Sequence, residues 1–244
     1  MDAASDPAAF DTFLGELESY YEPPWSVYRA VADRVGDATL VCDFGCGTGR
    51  LARHLAECQP TLAYIGLDRD EQRLSYARTA SPASARFTVN SDDFATQAAA
   101  SARTVFVAGF CVHDQPSLDD VQRLIERISP AAILVWDLTP HDLPRLGATL
   151  RAHAITIDAD PRQRPLELAH ALEKAGRHVE TSTQSHAIAF PSADAITTYI
   201  DTFALLEGAD MGISAEDQGA LEAVLLDLPV PFRDQRHFIE IWAH

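Results

Sequence analysis

Val41-Cys42-Asp43-Phe44-Gly45-Cys46-Gly47-Thr48-Gly49-Arg50 is the stretch on which the reading of the fold turns. Residues 39–44 (TLVCDF) are an apolar run of the kind that forms a buried strand. Gly45, Gly47 and Gly49 then make a glycine-rich turn. Residues 50–58 (RLARHLAEC) follow as a short helix, with Leu51 and Leu55 at i, i+4. Glycine allows backbone conformations closed to other residues and close approach to a ligand. The helix behind it offers N–H groups that lack intrahelical partners. A glycine turn of this kind serves many nucleotides, and by itself it is also compatible with a plain connection.

Working outward, strands and helices alternate. Residues 62–67 (LAYIGL) are a second strand that closes on Asp68, and 70–79 a second helix. Residues 86–89 are a third strand and 104–109 (TVFVAG) a fourth. Residues 117–128 are a marked helix, with Ser117 to cap it, Asp120 at the reciprocal capping position, and Val121, Leu124, Ile125 and Ile128 on its apolar face. Residues 131–136 (AAILVW) are a fifth strand. Short apolar strands alternating with helices imply an α/β fold: a Rossmann-like parallel sheet with helices on both faces. Such sheets bind ligands at the carboxyl ends of their strands.

The flanks are less regular. Residues 1–35 read as helical, with Phe10, Phe13, Leu14, Leu17 and Tyr20/Tyr21 in one stripe. Pro23 and Pro24 break it, and Trp25, Val27, Tyr28 and Val31 begin a second helix. Residues 139–164 carry several prolines and little periodicity. Residues 166–190 fit a hairpin or a helix followed by a strand, and Gly176 at the turn favours the hairpin. Residues 195–206 and 215–226 read as helices, the first stopped by Gly208, and 238–242 (FIEIW) as a closing strand.

The electrostatics of the glycine turn narrow its ligand. Asp43 stands just before the first glycine, where pyrophosphate would be repelled and a ligand carrying an ammonium and a sulfonium attracted. Asp68, at the end of the second strand, can accept hydrogen bonds from two ribose hydroxyls. Together they favour S-adenosylmethionine (SAM) over a nicotinamide dinucleotide.

With these residues in view, D-F-G-C-G-T-G resembles motif I of the class I SAM-dependent methyltransferases. Gly66-Leu67-Asp68 resembles their second, acidic motif. Asn90-Ser91-Asp92-Asp93-Phe94 stands where the family carries an acidic residue beside adenine, although the best register puts Ser91 at that position. Cys111–Pro116 (CVHDQP) is similar to the segment after the fourth strand of small-molecule members. The likeness covers residues 36–138. It implies a seven-stranded sheet with an antiparallel last strand, which 238–242 would supply. It also implies a single domain over 1–244: a helical lid (1–35), a SAM-binding core (36–138), a variable acceptor-side region (139–235) and a closing strand (236–244). By the same resemblance Gly45, Gly47 and Gly49 would wrap the amino-acid part of SAM and Asp43 would help place its ammonium. Asp68, with Arg69 next to it, would hold the ribose. Ser91, Asp92 or Asp93 would meet the adenine, with Phe94 nearby, and Gly109 and Phe110 would lie against the methionine part. S-adenosylhomocysteine (SAH) would be the product.

Methyl transfer is an in-line displacement, and alignment and exclusion of water supply much of its rate. A base is needed only for a nucleophile that arrives protonated. The candidates at strand ends are His113, Asp114, Asp137 and His141, with His113 best placed. Each also has a plainer reading, as a pocket-lining or strand-end residue. Tyr21, with Tyr20 and Trp25, forms an aromatic group that could face a sulfonium; ordinary packing is the alternative. The other histidines show no metal-ligand spacing, and no metal is expected.

Composition bounds the function. Of the chain's 244 residues 47% are hydrophobic, enough for a sizeable core, and the net charge is −17. Such a chain repels polyanions and anionic membranes, which argues against nucleic-acid partners. No apolar run reaches the roughly 20 residues of a membrane helix, and no targeting signal is recognisable, so a cytoplasmic location is expected. Cys42, Cys46, Cys58 and Cys111 form no C-x-x-C pair and read as buried thiols. The leading expectation is methylation of a small molecule, of the kind found in secondary metabolism. The alternatives are ring closure on SAM that releases methylthioadenosine, a rearrangement, or a non-catalytic partner subunit. The sequence sets no oligomeric state; a homodimer is compatible with it.

Overall fold

In the computed structural model the apolar runs become strands and the periodic stretches helices. The structure describes residues 6–99, 101, 103–113, 115–139, 142–153, 163–206 and 215–244. Their order is α1 (Pro7–Ser19), α2 (Val27–Val35), β1 (Leu40–Phe44), α3 (Arg50–Cys58), β2 (Ala63–Leu67), α4 (Glu71–Ala80), β3 (Arg86–Thr88), α5 (Ser91–Ala98), β4 (Thr104–Gly109), α6 (Leu118–Ile128), β5 (Ala132–Leu138), α7 (Pro144–Ala152), α8 (Arg164–Lys174), β6 (Val179–Phe190), α9 (Ala193–Leu206), α10 (Ala215–Leu226) and β7 (Phe232–Ala243). The seven strands form one sheet in the order β3-β2-β1-β4-β5-β7-β6, with β7 antiparallel. β1 pairs in parallel with both β2 and β4, so the strand order reverses between β1 and β4. Ligands of open α/β sheets bind at such a reversal.

The chain divides into two compact units, and β6 and β7 contribute residues to both. One comprises Ser26–Asp137, Arg162–Thr183 and Ile239–His244. Its core joins Ile65 of β2, Phe106 of β4, and Ile133 and Val135 of β5 to Phe94, Leu124, Ile125, Leu168 and Leu172 from the helices. Each such side chain contributes about 1.5–3 kcal/mol by leaving water. Glu240, buried on β7, is satisfied by Arg34 of α2 at 2.6 Å.

The other unit comprises Met1–Trp25, Leu138–Pro161 and Gln184–Phe238. Tyr21 bridges Ile188 of β6 in antiparallel fashion, and Glu22 N–H donates to Ala187 O at 2.9 Å. Asp234 caps α7 by accepting from Arg145 N–H (3.2 Å) and Leu146 N–H (2.7 Å).

Several expectations need correction. Residues 164–174 are helix α8, not a hairpin arm: Leu168, Ala169 and Leu172 bury one helical face, and Pro165 sits in the first turn, where its missing N–H costs nothing. Gly176, at φ 89°, ends the helix rather than turning a hairpin. Within 139–164, α7 was not legible, because its cap, Asp234, lies far along the chain. Ser117 is the N-cap of α6 by backbone angle but makes no side-chain capping bond; Asp120 pairs with Arg123 instead. The closing strand begins at Phe232 rather than 238. The four cysteines make no disulfide, but only Cys42 and Cys46 are buried; Cys58 is exposed and Cys111 half-buried. The expected stop at Gly208 lies outside the described residues.

Candidate functional site

The glycine turn leaves β1 and is bound to the end of β2. Gly45 N–H and Cys46 N–H donate to Leu67 O at 2.8 and 3.1 Å, and Gly49 N–H donates to Cys46 O at 3.0 Å. Two glycines are required by geometry. Gly45 has φ 75°, and a Cβ there would stand 2.6 Å from Cys111 Cβ. Gly49, also at φ 75°, would place a Cβ 2.7 Å from Ser81 Oγ. Gly47 differs: at φ 53°, a Cβ on it meets nothing within 4 Å, and the same holds at Gly109. Backbone at Gly47 and at the end of β4 therefore faces open space.

Asp68 binds this turn directly. Its Oδ2 accepts Gly47 N–H at 2.7 Å and its Oδ1 accepts Asp70 N–H at 2.9 Å. Each carboxylate oxygen has a further lone pair. Asp43 lies deeper, 5% exposed, and Tyr64 Oη donates to its Oδ2 at 2.5 Å. Burial pushes the Asp43 carboxyl up to about 7; the Tyr64 hydrogen bond opposes this and the charge of Asp68 adds to it. Burial, reinforced by Asp43, drives the Tyr64 phenol well above its ordinary value, so it stays a donor. Tyr64 was not among the expected site residues. Its only signal is its place on β2, beside β1.

The expected adenine segment opens α5. Asn90 caps this helix, its side chain accepting from Asp92 N–H (2.8 Å) and Asp93 N–H (3.1 Å). Ser91, Asp92 and Asp93 are exposed, and Asp92 pairs with Arg127 at 2.8 Å. Phe94 is fully buried in the core and is not brought together with them. Arg69, beside Asp68, is exposed.

Past β4 the chain turns sharply at Phe110, whose φ is 55°. His113, 8% exposed, meets Asp137, which has no exposed surface, with Nδ1 and Oδ1 2.6 Å apart. Two candidates considered singly in the sequence are thus one hydrogen-bonded pair. Asp114 and His141 lie outside the described residues. No group of three or more metal-ligating side chains occurs among the described residues.

Tyr21 belongs to the other unit, in an aromatic cluster with Trp25, His186 and Phe238. Trp25 stacks on His186 at 3.9 Å between centroids, and Tyr21 meets Trp25 edge-on at 5.3 Å. Tyr20 turns away to Phe190. Burial raises the Tyr21 phenol to about 12, with Arg236 opposing that rise. Burial lowers the His186 imidazole. Arg236 is buried too, with its Nε 3.2 Å from Asp142 Oδ2 and its guanidinium over the rings of Tyr199 and Phe238. Burial opposes its charge, but Asp142 outweighs that and keeps it protonated. This ion pair carried no sequence signal, since its members are far apart in the chain.

Residues 41–131 match the profile of a methyltransferase domain family. Among solved structures, the chain resembles the YcgJ protein of Bacillus subtilis (14% identity, TM-score 0.54, covering 88% of this chain and 96% of that one). It also resembles BH2331 of Bacillus halodurans C-125 (14%, 0.53, 88% and 96%). The plantazolicin methyltransferase BpumL, in complex with a desmethylplantazolicin analogue and SAH, is a third such structure (14%, 0.50, 99% and 88%). At these identities the likeness is one of fold. No curated protein matches the chain significantly. Over residues 41–131 the chain is thus similar to a methyltransferase domain, on a sheet of the same fold as these structures.

Proposed function

We propose that the chain transfers the methyl group of SAM to a small-molecule acceptor by in-line displacement, with release of SAH. The observation that carries this reading is the Gly45–Gly49 turn bound by the Asp68 carboxylate, at the reversal of strand order in a methyltransferase domain. The residues fit the cofactor: open backbone at Gly47 and Gly109 for close approach, Asp68 for paired hydroxyls, and acidic groups for a cation. When bound, SAM supplies a methyl group activated by its sulfonium. Gly45, Gly47 and Gly49 hold its amino-acid part, and Asp43 acts on the ammonium. Asp68 and Arg69 border the ribose. Ser91, Asp92 and Asp93 lie on the adenine side, with Phe94 supporting that segment from the core. Gly109 and Phe110 lie along the methionine chain.

His113 is assigned as general base for an acceptor that arrives protonated. Tyr21, expected as a second catalytic side chain, belongs to the other unit, and its phenol stays protonated at neutral pH and can only donate or pack. BpumL, of similar fold, is a plantazolicin methyltransferase seen in complex with a desmethylplantazolicin analogue and SAH, which supports a small acceptor here. The net charge of −17 supports the exclusion of nucleic acid and anionic membrane as substrates. The absence of disulfides among the described residues fits a reducing cytoplasm.

Titration calorimetry with SAH, and incubation with SAM alone, test the reading. Saturable SAH binding with SAM left intact until an acceptor is added is the expected result. Methylthioadenosine formed without acceptor would move the assignment to ring closure. Failure to bind either compound would overturn it in favour of a non-catalytic subunit.

A further inference from the structure

His113 and Asp137 come from the ends of neighbouring strands. β4 and β5 are parallel, with Gly109 opposite Trp136 as the last pair, so Asp137 stands one residue beyond it. Phe110 leaves the strand while its N–H donates to Trp136 O at 2.7 Å. Val112, fully buried, pins the following turn, and Gln115 Nε2 closes it on Cys111 O at 2.8 Å. The turn delivers His113 onto the carboxylate, which holds it twice. Asp137 Oδ1 takes the ring at Nδ1 (2.6 Å), and Oδ2 accepts the His113 backbone N–H (3.3 Å). A buried carboxylate is costly unless hydrogen-bonded, and when ionised it can only accept. The pairing therefore puts the hydrogen on Nδ1 and makes Nε2 the basic nitrogen.

We propose that Asp137 is the positioning residue of a general-base histidine: it fixes the ring and the tautomer of His113 so that Nε2 takes the acceptor's proton during methyl transfer. This rests on the methyl-transfer reading above. In the step served, the acceptor's bond to hydrogen breaks and Nε2 takes the proton. The acceptor's electron pair forms the new bond to the methyl carbon, and the carbon–sulfur bond breaks with its electrons kept by sulfur, giving SAH. The imidazolium so formed sits against the Asp137 charge and later gives its proton to water. A brace serving only the turn would need the backbone contact to Oδ2; the ring contact, on a residue at the carboxyl end of the sheet, is what a base requires.

Side-chain 15N–1H correlation spectra of the full chain read the tautomer without any acceptor, with His113 assigned by its loss in H113N. The wild type should show the Nδ1–H form. D137N should lose that signal, because an amide NH2 can donate to Nδ1 and favours the Nε2–H form. D137E should restore it. A wild type already in the Nε2–H form, or a D137N protein that keeps Nδ1–H, would overturn the proposal, and the wild-type spectrum decides alone if D137N does not fold. SAH titration separates this from the reading beneath it. Unchanged SAH affinity in D137N with a switched tautomer supports the positioning role. A wild type that binds no SAH removes the methyl-transfer reading, and the catalytic role of the pair with it, whatever the tautomer.

Discussion

Asp68 and Asp43 are both carboxylates at strand ends, yet their surroundings give them different physics. Asp68 has each oxygen on a backbone N–H of the turn or of the segment before α4. Asp68→Ala is expected to weaken SAH binding by about 1–3 kcal/mol, through lost hydrogen bonds to a charged group. Calorimetry checks this, and unchanged affinity would contradict the ribose assignment. Asp43 is buried against Tyr64, and its carboxyl titrates at about 7 in the folded chain, against about 3.9 for an unperturbed aspartate. Between those values the folded state holds a proton that the unfolded state has lost. Stability attributable to Asp43 therefore falls as pH rises from about 4 to about 7, at up to about 1.4 kcal/mol per unit, and is level above that. Asp43→Asn removes the slope, so urea midpoints of wild type and variant should diverge between pH 5 and pH 8, the variant gaining. Parallel midpoints would show that Asp43 is ionised throughout.

At the scale of elements, two helix starts with similar sequence signals differ in how they are held. Asn90 accepts two N–H groups at the start of α5, whereas Ser117 at the start of α6 accepts none through its side chain. Asn90→Ala should cost roughly 0.5–2 kcal/mol, and Ser117→Ala far less, both measurable by chemical denaturation. Equal losses would mean that cap identity, not the hydrogen bond, sets the cost. Apart from α5, which was not read as a helix, the elements of 39–136 were legible because they are patterned over their own length: apolar runs for strands, and Val121, Leu124, Ile125 and Ile128 for α6. α8 was misread because Gly176 signals a reversal without saying what precedes it. α7 was missed because Asp234, which satisfies its first turn, is supplied by β7.

For the whole molecule, charge is the property that composition fixes. A net −17 is self-repulsive in the folded state. Raising the salt from about 10 mM to about 150 mM shortens the screening length from about 30 Å to about 8 Å, so Tm should rise over that range in calorimetry. A falling Tm would show that attractive surface pairs, such as Arg78–Glu71 at 2.5 Å, dominate instead. No helix among the described residues is long and apolar enough to cross a membrane.

The sequence by itself determined the alternating α/β architecture, the glycine turn and the acidic strand ends, because each is written in consecutive residues and local patterns suffice to specify it. Only the tertiary structure decided which side chains meet. It buried Asp43 on Tyr64, withdrew Phe94 into the core and joined Arg236 to Asp142. It also turned His113 and Asp137, weighed separately as bases, into one hydrogen-bonded pair. Contacts of this kind are set by strand register and burial across the sheet, and no local pattern encodes them.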